Sequence, residues 1–371
     1  MTETTKQIPQ PKGRLKFIDL ARSIAILLML EGHFIDLTLD DSYRDLALPA
    51  YATWLYIRGF TGAMFLSVTG IVFVYLMLNN INTSFWSNIR VKKGFKRVIE
   101  LIFWGYLLQL YAFHVLQCIA FGILMILLIF GLYRKIKVIP LWIYYFIVGF
   151  ALFWSYLYIV QLPFLRPWPE NAPYFVQNMF YGPLHRAVFP ITPWMGFTMF
   201  GAAIGAILYQ YKEKVKNWTF MLPFIAIGAF LFFTSKPMLL VLDFHYFGKH
   251  QLYYQLDWLF ERLGMVMMVL GVLMILEKVL KDIPQTLFLK MGQNTLTVYI
   301  IHMVVLYGSI IGIGVNKFFN RNLDPYQAIM GAVIFITFHL ILIKNIEAIK
   351  KKLEFILRPI SNFWAKIYRF D

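Results

Sequence analysis

Ten long apolar segments run through the chain and constrain its fold more than any other feature. A helix needs ~20 apolar residues to cross the ~30 Å of hydrocarbon in a bilayer. The sequence therefore predicts an all-α polytopic membrane protein with about ten transmembrane helices. These are predicted at residues 16–36, 50–77, 98–112, 114–133, 138–160, 192–210, 218–240, 257–277, 287–312 and 326–344.

The composition excludes a soluble protein. A chain of 371 residues is long enough for several soluble domains, but 60% of its residues are hydrophobic and only 15% are charged. Soluble domains average ~45–50% apolar and ~25% charged residues. The single cysteine, Cys118, excludes an intramolecular disulfide and a cysteine-rich zinc site.

The lysines and arginines predict how the spans are oriented. With the N-terminus inside, 25 of the 35 lysines and arginines fall in cytoplasmic segments, 7 fall outside and 3 lie within spans. Cytoplasmic loops carry the excess of these residues, so both termini are predicted to be cytoplasmic. The count also favours a tight helical hairpin through residues 111–115, because one long helix there would move every later loop to the opposite side of the membrane. The net charge of +16 is then a topology signal and an attraction to anionic lipids rather than a sign of nucleic-acid binding.

The sequence predicts one membrane domain with two cytoplasmic ends. Residues 1–15 form an N-terminal segment, 16–344 the transmembrane domain and 345–371 a basic tail. The tail has apolar residues at helical spacing and is predicted to lie on the inner membrane surface as an amphipathic helix. The longest outer loop, 161–191, is rich in proline, which orders a loop without a core of its own.

Three ionisable residues of the first span share one face. At ~100° per residue, Asp19, Arg22 and His33 lie within a ~60° stripe. Charges inside spans are costly and usually face a cavity or a partner, which makes these residues functional candidates. Asp19 and Arg22 also fit a salt pair near the inner surface, whereas His33 lies ~16 Å further out.

The ninth span carries a second polar stripe of Thr295, Tyr299 and His302. His302 lies at a depth similar to that of His33, so the two histidines are predicted to line one pocket on facing helices. The alternative is two separate core histidines, each bonded to a carbonyl group. Burying either ring without a purpose costs desolvation, which favours the shared pocket.

Two arginines, Arg58 and Arg262, are predicted in the outer halves of the second and eighth spans. Asp257 and Glu261 lie close to Arg262 in sequence, and two interpretations stay open: an ion-pair cluster that fixes helix packing, or a rim that binds an acceptor. No histidine spacing is typical of a metal site, and no metal is predicted. The small residues of segment 201–205 predict close helix packing.

Five short motifs, in order along the chain, resemble a known family. They are RLKFIDLARSIAILLM at 14–29, FLSVTG at 65–70, HVLQCIA at 114–120, PWMGFTMFG at 193–201 and GQNTLTVYIIH at 292–302. Together they are similar to the heparan-α-glucosaminide N-acetyltransferase-like membrane family and, more loosely, to the acyltransferase-3 family. The resemblance covers residues 14–310.

This resemblance implies a polytopic enzyme that takes an acyl group, expected to be acetyl, from cytosolic acyl-CoA and places it on a sugar or glycan at the other membrane face. In the lysosomal branch, the histidine proposed as catalytic lies in the loop after the first span, but residues 34–57 contain no histidine here. His33 matches instead the first-span histidine of the acyltransferase-3 pattern, and transfer to nitrogen or oxygen stays open. The positions that match the family motifs are Asp19, Arg22, His33, Asn294 and His302.

Such a reaction needs cations for the CoA phosphates, a base for the acceptor and donors for the tetrahedral oxyanion. His33 is the predicted base. The predicted CoA-binding residues are Arg22 with its partner Asp19, and Lys93, Lys96 and Arg97. The predicted oxyanion donors are Asn294, Tyr299 and His302. The predicted acceptor-binding residues are Arg58, Asp257 and Arg262.

The predicted location is the cell (plasma or inner) membrane, with membrane lipids and a glycan acceptor as partners and a homodimer as one hypothesis for the assembly. The alternative function is a secondary transporter or flippase, which also has about ten spans and intramembrane ionisable residues. Transporters usually contain internal repeats and broken helices, and the sequence gives no clear sign of either.

Overall fold

The computed structural model describes residues 15–109, 113–157, 173–180, 188–247, 256–280 and 286–349. Within these ranges the chain is almost entirely helical, with one isolated β-bridge between Leu39 and Leu323. The predicted N-terminal segment, most of the predicted loop 161–191 and the predicted tail beyond residue 349 lie outside the described residues. The helices are α1 (Lys16–Thr38), α2 (Pro49–Leu78), α3 (Ile89–Leu108), α4 (Val115–Lys135), α5 (Leu141–Tyr156), α6 (Tyr174–Phe180), α7 (Ile191–Gln210), α8 (Trp218–Phe247), α9 (Asp257–Val279), α10 (Leu287–Gln293), α11 (Thr295–Tyr307), α12 (Asn316–Phe319) and α13 (Pro325–Lys344).

Each of the ten predicted spans contains a helix. Six helices of the described chain are long and apolar enough to cross a membrane, namely α2, α4, α7, α8, α9 and α13. The remaining predicted spans correspond to the shorter apolar helices α5 and α11 and to the more charged helices α1 and α3. The chain is therefore a multi-pass, all-helical membrane protein.

The third predicted span, 98–112, begins earlier than its hydropathy indicated. Helix α3 starts at Ile89, so the basic residues 90–97 form its first two turns rather than a loop. The side chain of Asn88 accepts a hydrogen bond from the amide of Arg90 at 2.9 Å and caps this start. Lysine and arginine are also good helix formers, which a hydropathy boundary does not register.

The ninth predicted span, 287–312, is broken at Asn294 into α10 and α11. The side-chain amide of Asn294 donates to the carbonyl oxygen of Lys290 at 2.9 Å, and such local side-chain bonds compete with the hydrogen bonds of a regular helix. Helix α11 then ends at Gly308, which adopts a left-handed conformation with φ of 68°. The span is thus two shorter helices, and the second carries the Tyr299–His302 stripe.

Close helix crossings hold α1, α2 and α7 at the centre of the fold. A side chain on Gly201 or Gly205 would collide with the backbone of α2, so the predicted packing role of segment 201–205 is confirmed. Similarly, α10 lies directly against α1, where the Ser23 hydroxyl donates to the carbonyl oxygen of Phe288 at 2.7 Å. At the start of α1, the Phe17 amide donates to buried Glu277 of α9 at 2.7 Å. These crossings fix the positions of the polar stripes.

Candidate functional site

One cavity of about 270 Å³ is lined by four cations and is named the basic cavity. Arg22 comes from α1, and Arg90, Lys93 and Arg97 come from one face of α3. Apolar side chains of α2, α4 and α11 make up most of the remaining wall. The apolar lining includes Phe65, Val68, Val72, Leu76, Leu116, Ile119 and Leu296.

Three of the five predicted CoA-binding residues line the basic cavity, and the other two do not. Arg22, Lys93 and Arg97 lie on the wall, whereas Lys96 does not. Asp19 is buried behind the wall and forms an ion pair with Arg22 at 3.7 Å. Arg90 was absent from the sequence candidates, which included Lys93, Lys96 and Arg97 of the same stretch. With the helix start at Ile89, helical spacing alone would have grouped Arg90 with Lys93 and Arg97.

A second cavity, of about 380 Å³, has aromatic walls and is named the aromatic cavity. Its polar side chains include His33 of α1, Arg58 of α2 and Arg262 of α9. Phe189 and Trp194 form part of its apolar surface, with ring centroids 4.7 Å apart. This is a chemically different environment from the basic cavity, with isolated polar groups among large rings.

The two cavities share two wall residues, Phe65 of α2 and Tyr299 of α11. Tyr299 is 5% exposed, so its side chain is packed within the protein between the two cavities. A group bound in one cavity and a group bound in the other would both touch these side chains.

The two predicted histidines are brought together beside this boundary. The rings of His33 and His302 stack with centroids 5.2 Å apart and an interplanar angle of 21°. Tyr299 meets His302 edge to face at 4.7 Å. His33 lies on the wall of the aromatic cavity, while His302 is fully buried behind it. Each ring also faces main-chain carbonyl groups one turn earlier on its own helix, that of Met29 for His33 and those of Val298 and Tyr299 for His302.

His114 joins this cluster, although the sequence analysis placed it at the hairpin apex and in the motif at 114–120 without a role in the chemistry. Its Nε2 lies 3.0 Å from the carbonyl oxygen of Gly105, which can only accept, so Nε2 carries the proton. Nδ1 is then an acceptor, and the Tyr299 hydroxyl donates to it at 3.4 Å. His114 also precedes α4 in a capping box with Gln117, a pattern visible in the sequence as His-x-x-Gln.

Arg58 is neutralised by an acidic partner that the sequence analysis missed. Its guanidinium donates to Asp36 at 2.7 Å and lies over the ring of Trp54. The Asp36 carboxylate also forms an ion pair with Arg44 at 3.3 Å, so it pairs with two arginines. Asp36 follows His33 by three residues on α1, and the same helical spacing that linked Asp19 to Arg22 could have identified it.

Arg262 is held differently. Its guanidinium packs over the ring of Trp258 at 4.8 Å, and no carboxylate of the described chain lies within ion-pair distance of it. Glu261 instead accepts the hydroxyl of Tyr56, and Asp257 accepts that of Ser235 at 2.7 Å. Of the two interpretations that the sequence left open, a contact ion pair at Arg262 is not formed within the described residues, although the charge of Glu261 still acts on the guanidinium; Asp257 lies off the cavity wall. The reason is helical direction: neighbouring residues on α9 point to different helices.

Asn294 lies at the helix break and lines neither cavity, although the next residue, Thr295, reaches the basic cavity. Among the described residues there is no group of three or more histidine, cysteine, aspartate or glutamate side chains that could hold a metal ion.

Comparison with known proteins identifies the chain's family. None of the curated proteins matches it. The heparan-alpha-glucosaminide N-acetyltransferase catalytic domain matches residues 14–251. This range is narrower than the 14–310 suggested by the motifs, and it contains His33, Phe65 and His114 but not Tyr299. Since the match spans more than half of the 371 residues, the chain belongs to the heparan-alpha-glucosaminide N-acetyltransferase catalytic family.

Proposed function

We propose that this protein transfers an acetyl group from cytosolic acetyl-CoA to a sugar or glycan on the opposite side of the membrane. The observation that carries the proposal is the shared wall of the two cavities at Phe65 and Tyr299. One cavity has the charge that a nucleotide donor needs, the other has the surface that a sugar needs, and they meet at a cluster of histidines. Family membership supports the same class of reaction.

The basic cavity is the proposed donor site. Arginine forms paired, charge-assisted hydrogen bonds with phosphate, and lysine adds a mobile point charge. Arg22, Arg90, Lys93 and Arg97 would hold the phosphates of CoA, with Asp19 orienting Arg22. The apolar remainder of the wall suits the uncharged pantetheine arm, which would carry the thioester toward Tyr299.

The aromatic cavity is the proposed acceptor site. Sugar rings present apolar C–H faces that pack on aromatic side chains, while their hydroxyl groups bond to polar groups nearby. Phe189 and Trp194 provide the first kind of contact. His33, Arg58 and Thr61 lie on the same wall and provide the second.

The proposed reaction is a direct transfer at the boundary. A lone pair of the acceptor hydroxyl or amine attacks the thioester carbonyl carbon, and His33 takes the acceptor proton. The C–S bond then breaks, and the proton passes from His33 to the departing thiolate, giving CoA and the acetylated acceptor. Tyr299 is the proposed oxyanion donor, since it touches both cavities; its single O–H would turn from Nδ1 of His114 to the oxyanion as the tetrahedral intermediate forms.

The stacked histidines suit this role as a pair. Two positive charges at a separation of 5.2 Å repel strongly in a buried site, so the pair would hold only one extra proton at a time. His302 supports His33 from behind and has no path to the substrate itself. Asn294, off the wall of both cavities, is not assigned a role in the chemistry.

The proposal includes an orientation. If both termini are cytoplasmic and ten spans cross the membrane, the start of α3 and the basic cavity open toward the cytosol, where acetyl-CoA is found. The aromatic cavity then opens on the extracytoplasmic side. The proposed location is the plasma or inner membrane, where anionic lipids would attract the basic loops.

A thiol-release assay on the purified protein tests the function. Acetyl-CoA is supplied with a panel of amino sugars and oligosaccharides, and free CoA and acetylated product are measured together. We expect acceptor-dependent thiol release that is lost in His33→Gln. Binding of acetyl-CoA without transfer to any sugar would overturn the acceptor class, and no binding of acetyl-CoA would overturn the whole proposal.

A transporter is the second candidate, because one observation favours it. Helices α10 and α11 are interrupted at Asn294, and transporters often build binding sites from discontinuous helices. Solute counterflow in vesicles without acetyl-CoA separates the two functions. Exchange of an unmodified sugar under these conditions would favour transport over transfer.

A further inference from the structure

We propose that His33, His302 and His339 form a proton relay through the membrane, and that acetyl transfer to an amine therefore moves one positive charge from the acceptor side to the donor side. His339 lies on α13 and has no role in the reaction proposed above. The relay rests on that proposed function, because it begins with the acceptor proton that His33 receives.

The first observation is that three histidine rings follow one another through the helical core. The rings of His33 and His302 stack with their centroids 5.2 Å apart. The charge of His339 also acts on His302, so His302 links the other two rings. His302 and His339 are fully buried. Rows of ionisable side chains that include histidine carry protons in membrane pumps and transporters.

The row of three rings changes depth in the membrane. The β-bridge joins the end of α1 to the segment before α13, so these two helices run in opposite directions. Gly331 of α13 lies against the ring of Phe34, which follows His33 in sequence, and His339 lies ~12 Å further along α13. His339 is therefore displaced from His33 toward the end of the bundle at which α1 begins, where the basic cavity also lies.

The second observation is how His339 is held. Its Nδ1 lies 2.9 Å from the carbonyl oxygen of Phe335, which can only accept, so Nδ1 carries the proton. Nε2 is then an acceptor, and no donor of the described chain reaches it. Phe335 and Phe338 meet the ring edge to face at 4.5 and 5.2 Å and fix its position. An open lone pair in a buried ring is costly, and it is the atom that can receive a proton.

The other two rings are held in a similar way. His33 and His302 each face a main-chain carbonyl group one turn earlier on their own helices. One nitrogen of each ring is thus tied to its helix, and the other is left for a proton. Arg58 and Asp36 act on the outer end of the row and pair with each other. Because neighbouring positive rings repel, the row holds one extra proton at a time.

The proton balance of the reaction gives the relay its purpose. An amino sugar in neutral water is largely an ammonium ion, which loses two protons when it becomes an amide. The first passes from His33 through His302 and His339 to water on the donor side, and this frees the nitrogen lone pair. That lone pair forms the C–N bond, and His33 passes the second proton to the thiolate as the C–S bond breaks. In sum, R–NH3+ and acetyl-CoA give R–NH–acetyl, CoA and a proton on the donor side.

Membrane potential tests the relay in proteoliposomes. Acetyl-CoA is added outside and glucosamine is trapped inside, so only molecules whose basic cavity faces outward react. A potassium gradient with valinomycin makes the interior positive, and the initial rate of sugar acetylation is measured. We expect a ~100-fold gradient to raise this rate by ~3–10-fold, because the field acts on part of the path of one charge. A pH dye outside should record one proton for each acetylated sugar.

The decisive variant is His339→Gln, since glutamine can still donate to the carbonyl oxygen of Phe335 but cannot carry an extra proton. It should lose the response to potential, and the released proton should appear inside. His339→Phe should behave in the same way, whereas a packing role would be rescued by one of the two variants. His245→Gln, on an exposed helix surface, is the control and should respond like the wild-type protein. An unchanged response to potential in either His339 variant would overturn the relay.

A second measurement separates the relay from the proposed function. Without acetyl-CoA, a relay that water reaches at both ends conducts protons down an imposed potential, and a dye inside the vesicles follows them. The wild-type protein should conduct several-fold faster than His339→Gln. If no sugar is acetylated, the proposed function fails, and equal proton conduction by the two proteins would reject the relay as well. Acetylation at the same rate at every potential would reject the relay and leave the proposed function intact.

Discussion

The basic and aromatic cavities share Tyr299 in their walls but draw their charged side chains from the helices in different ways. Three of the four cations of the basic cavity come from one face of α3, so a local helical pattern creates the patch. The histidine and the two arginines of the aromatic cavity come singly from α1, α2 and α9. Several cations on one helix face suit a flexible polyphosphate, so acetyl-CoA binding in the basic cavity should weaken stepwise as they are removed. Single polar groups from three helices suit one reaction geometry, so one substitution in the aromatic cavity should abolish the transfer reaction.

The sharpest test of this difference is His33→Gln. We expect the rate of acetyl transfer to fall by ~10²–10⁴, because the acceptor loses its general base. Binding of acetyl-CoA should be unchanged, since the basic cavity is intact. Initial rates and equilibrium binding are measured on the same preparation, with His245→Gln as the control for a histidine on an exposed helix surface. A rate above half that of the wild-type protein would remove His33 from the mechanism.

The basic cavity is tested by Arg22→Gln and Arg90→Gln. Each should raise the KM for acetyl-CoA by ~10–100-fold and leave the KM for the acceptor unchanged, because each removes charge-assisted hydrogen bonds to phosphate. Lys96→Gln is the matched control on α3, since Lys96 lies off the cavity wall. Equal effects of Arg90→Gln and Lys96→Gln would mean that α3 acts through its overall charge alone.

The boundary between the cavities is tested by Phe65→Ala. Removing this ring should join the two cavities and admit water to the thioester. We expect a several-fold rise in thiol release without acceptor and a fall in transfer to the sugar. The readout is the ratio of free CoA to acetylated product. A ratio equal to that of the wild-type protein would place the boundary elsewhere.

The smallest effect is expected for Lys93→Gln. Lys93 is exposed at the rim of the basic cavity, where a single charge contributes ~1 kcal/mol or less to an ionic contact. The KM for acetyl-CoA should rise no more than ~5-fold, and the rise should disappear at high salt. A rise in this KM as large as that caused by Arg22→Gln would contradict the prediction that the cations of the basic cavity contribute unequally.

Helical spacing predicted many of the residues in the site, but it did not predict which side chains pair with one another. The stripes of α1 and α11 pointed to His33 and His302, and the two rings lie together. The same spacing could have identified Asp36, and a helix start at Ile89 groups Arg90 with Lys93 and Arg97. By contrast, nothing in the sequence near Arg262 indicated that Glu261 and Asp257 turn to α2 and α8 instead.

The sequence by itself determined the class of molecule: an all-helical, multi-pass chain whose apolar segments, motifs and polar stripes are local patterns along each helix. Tertiary structure decided which stripes face each other, how the ninth span breaks at Asn294, and where two cavities share Tyr299. The physical reason is that spacing fixes a residue's direction around its own helix. The neighbour it meets depends on crossings such as those at Gly201 and Gly292, where backbones approach from distant parts of the chain.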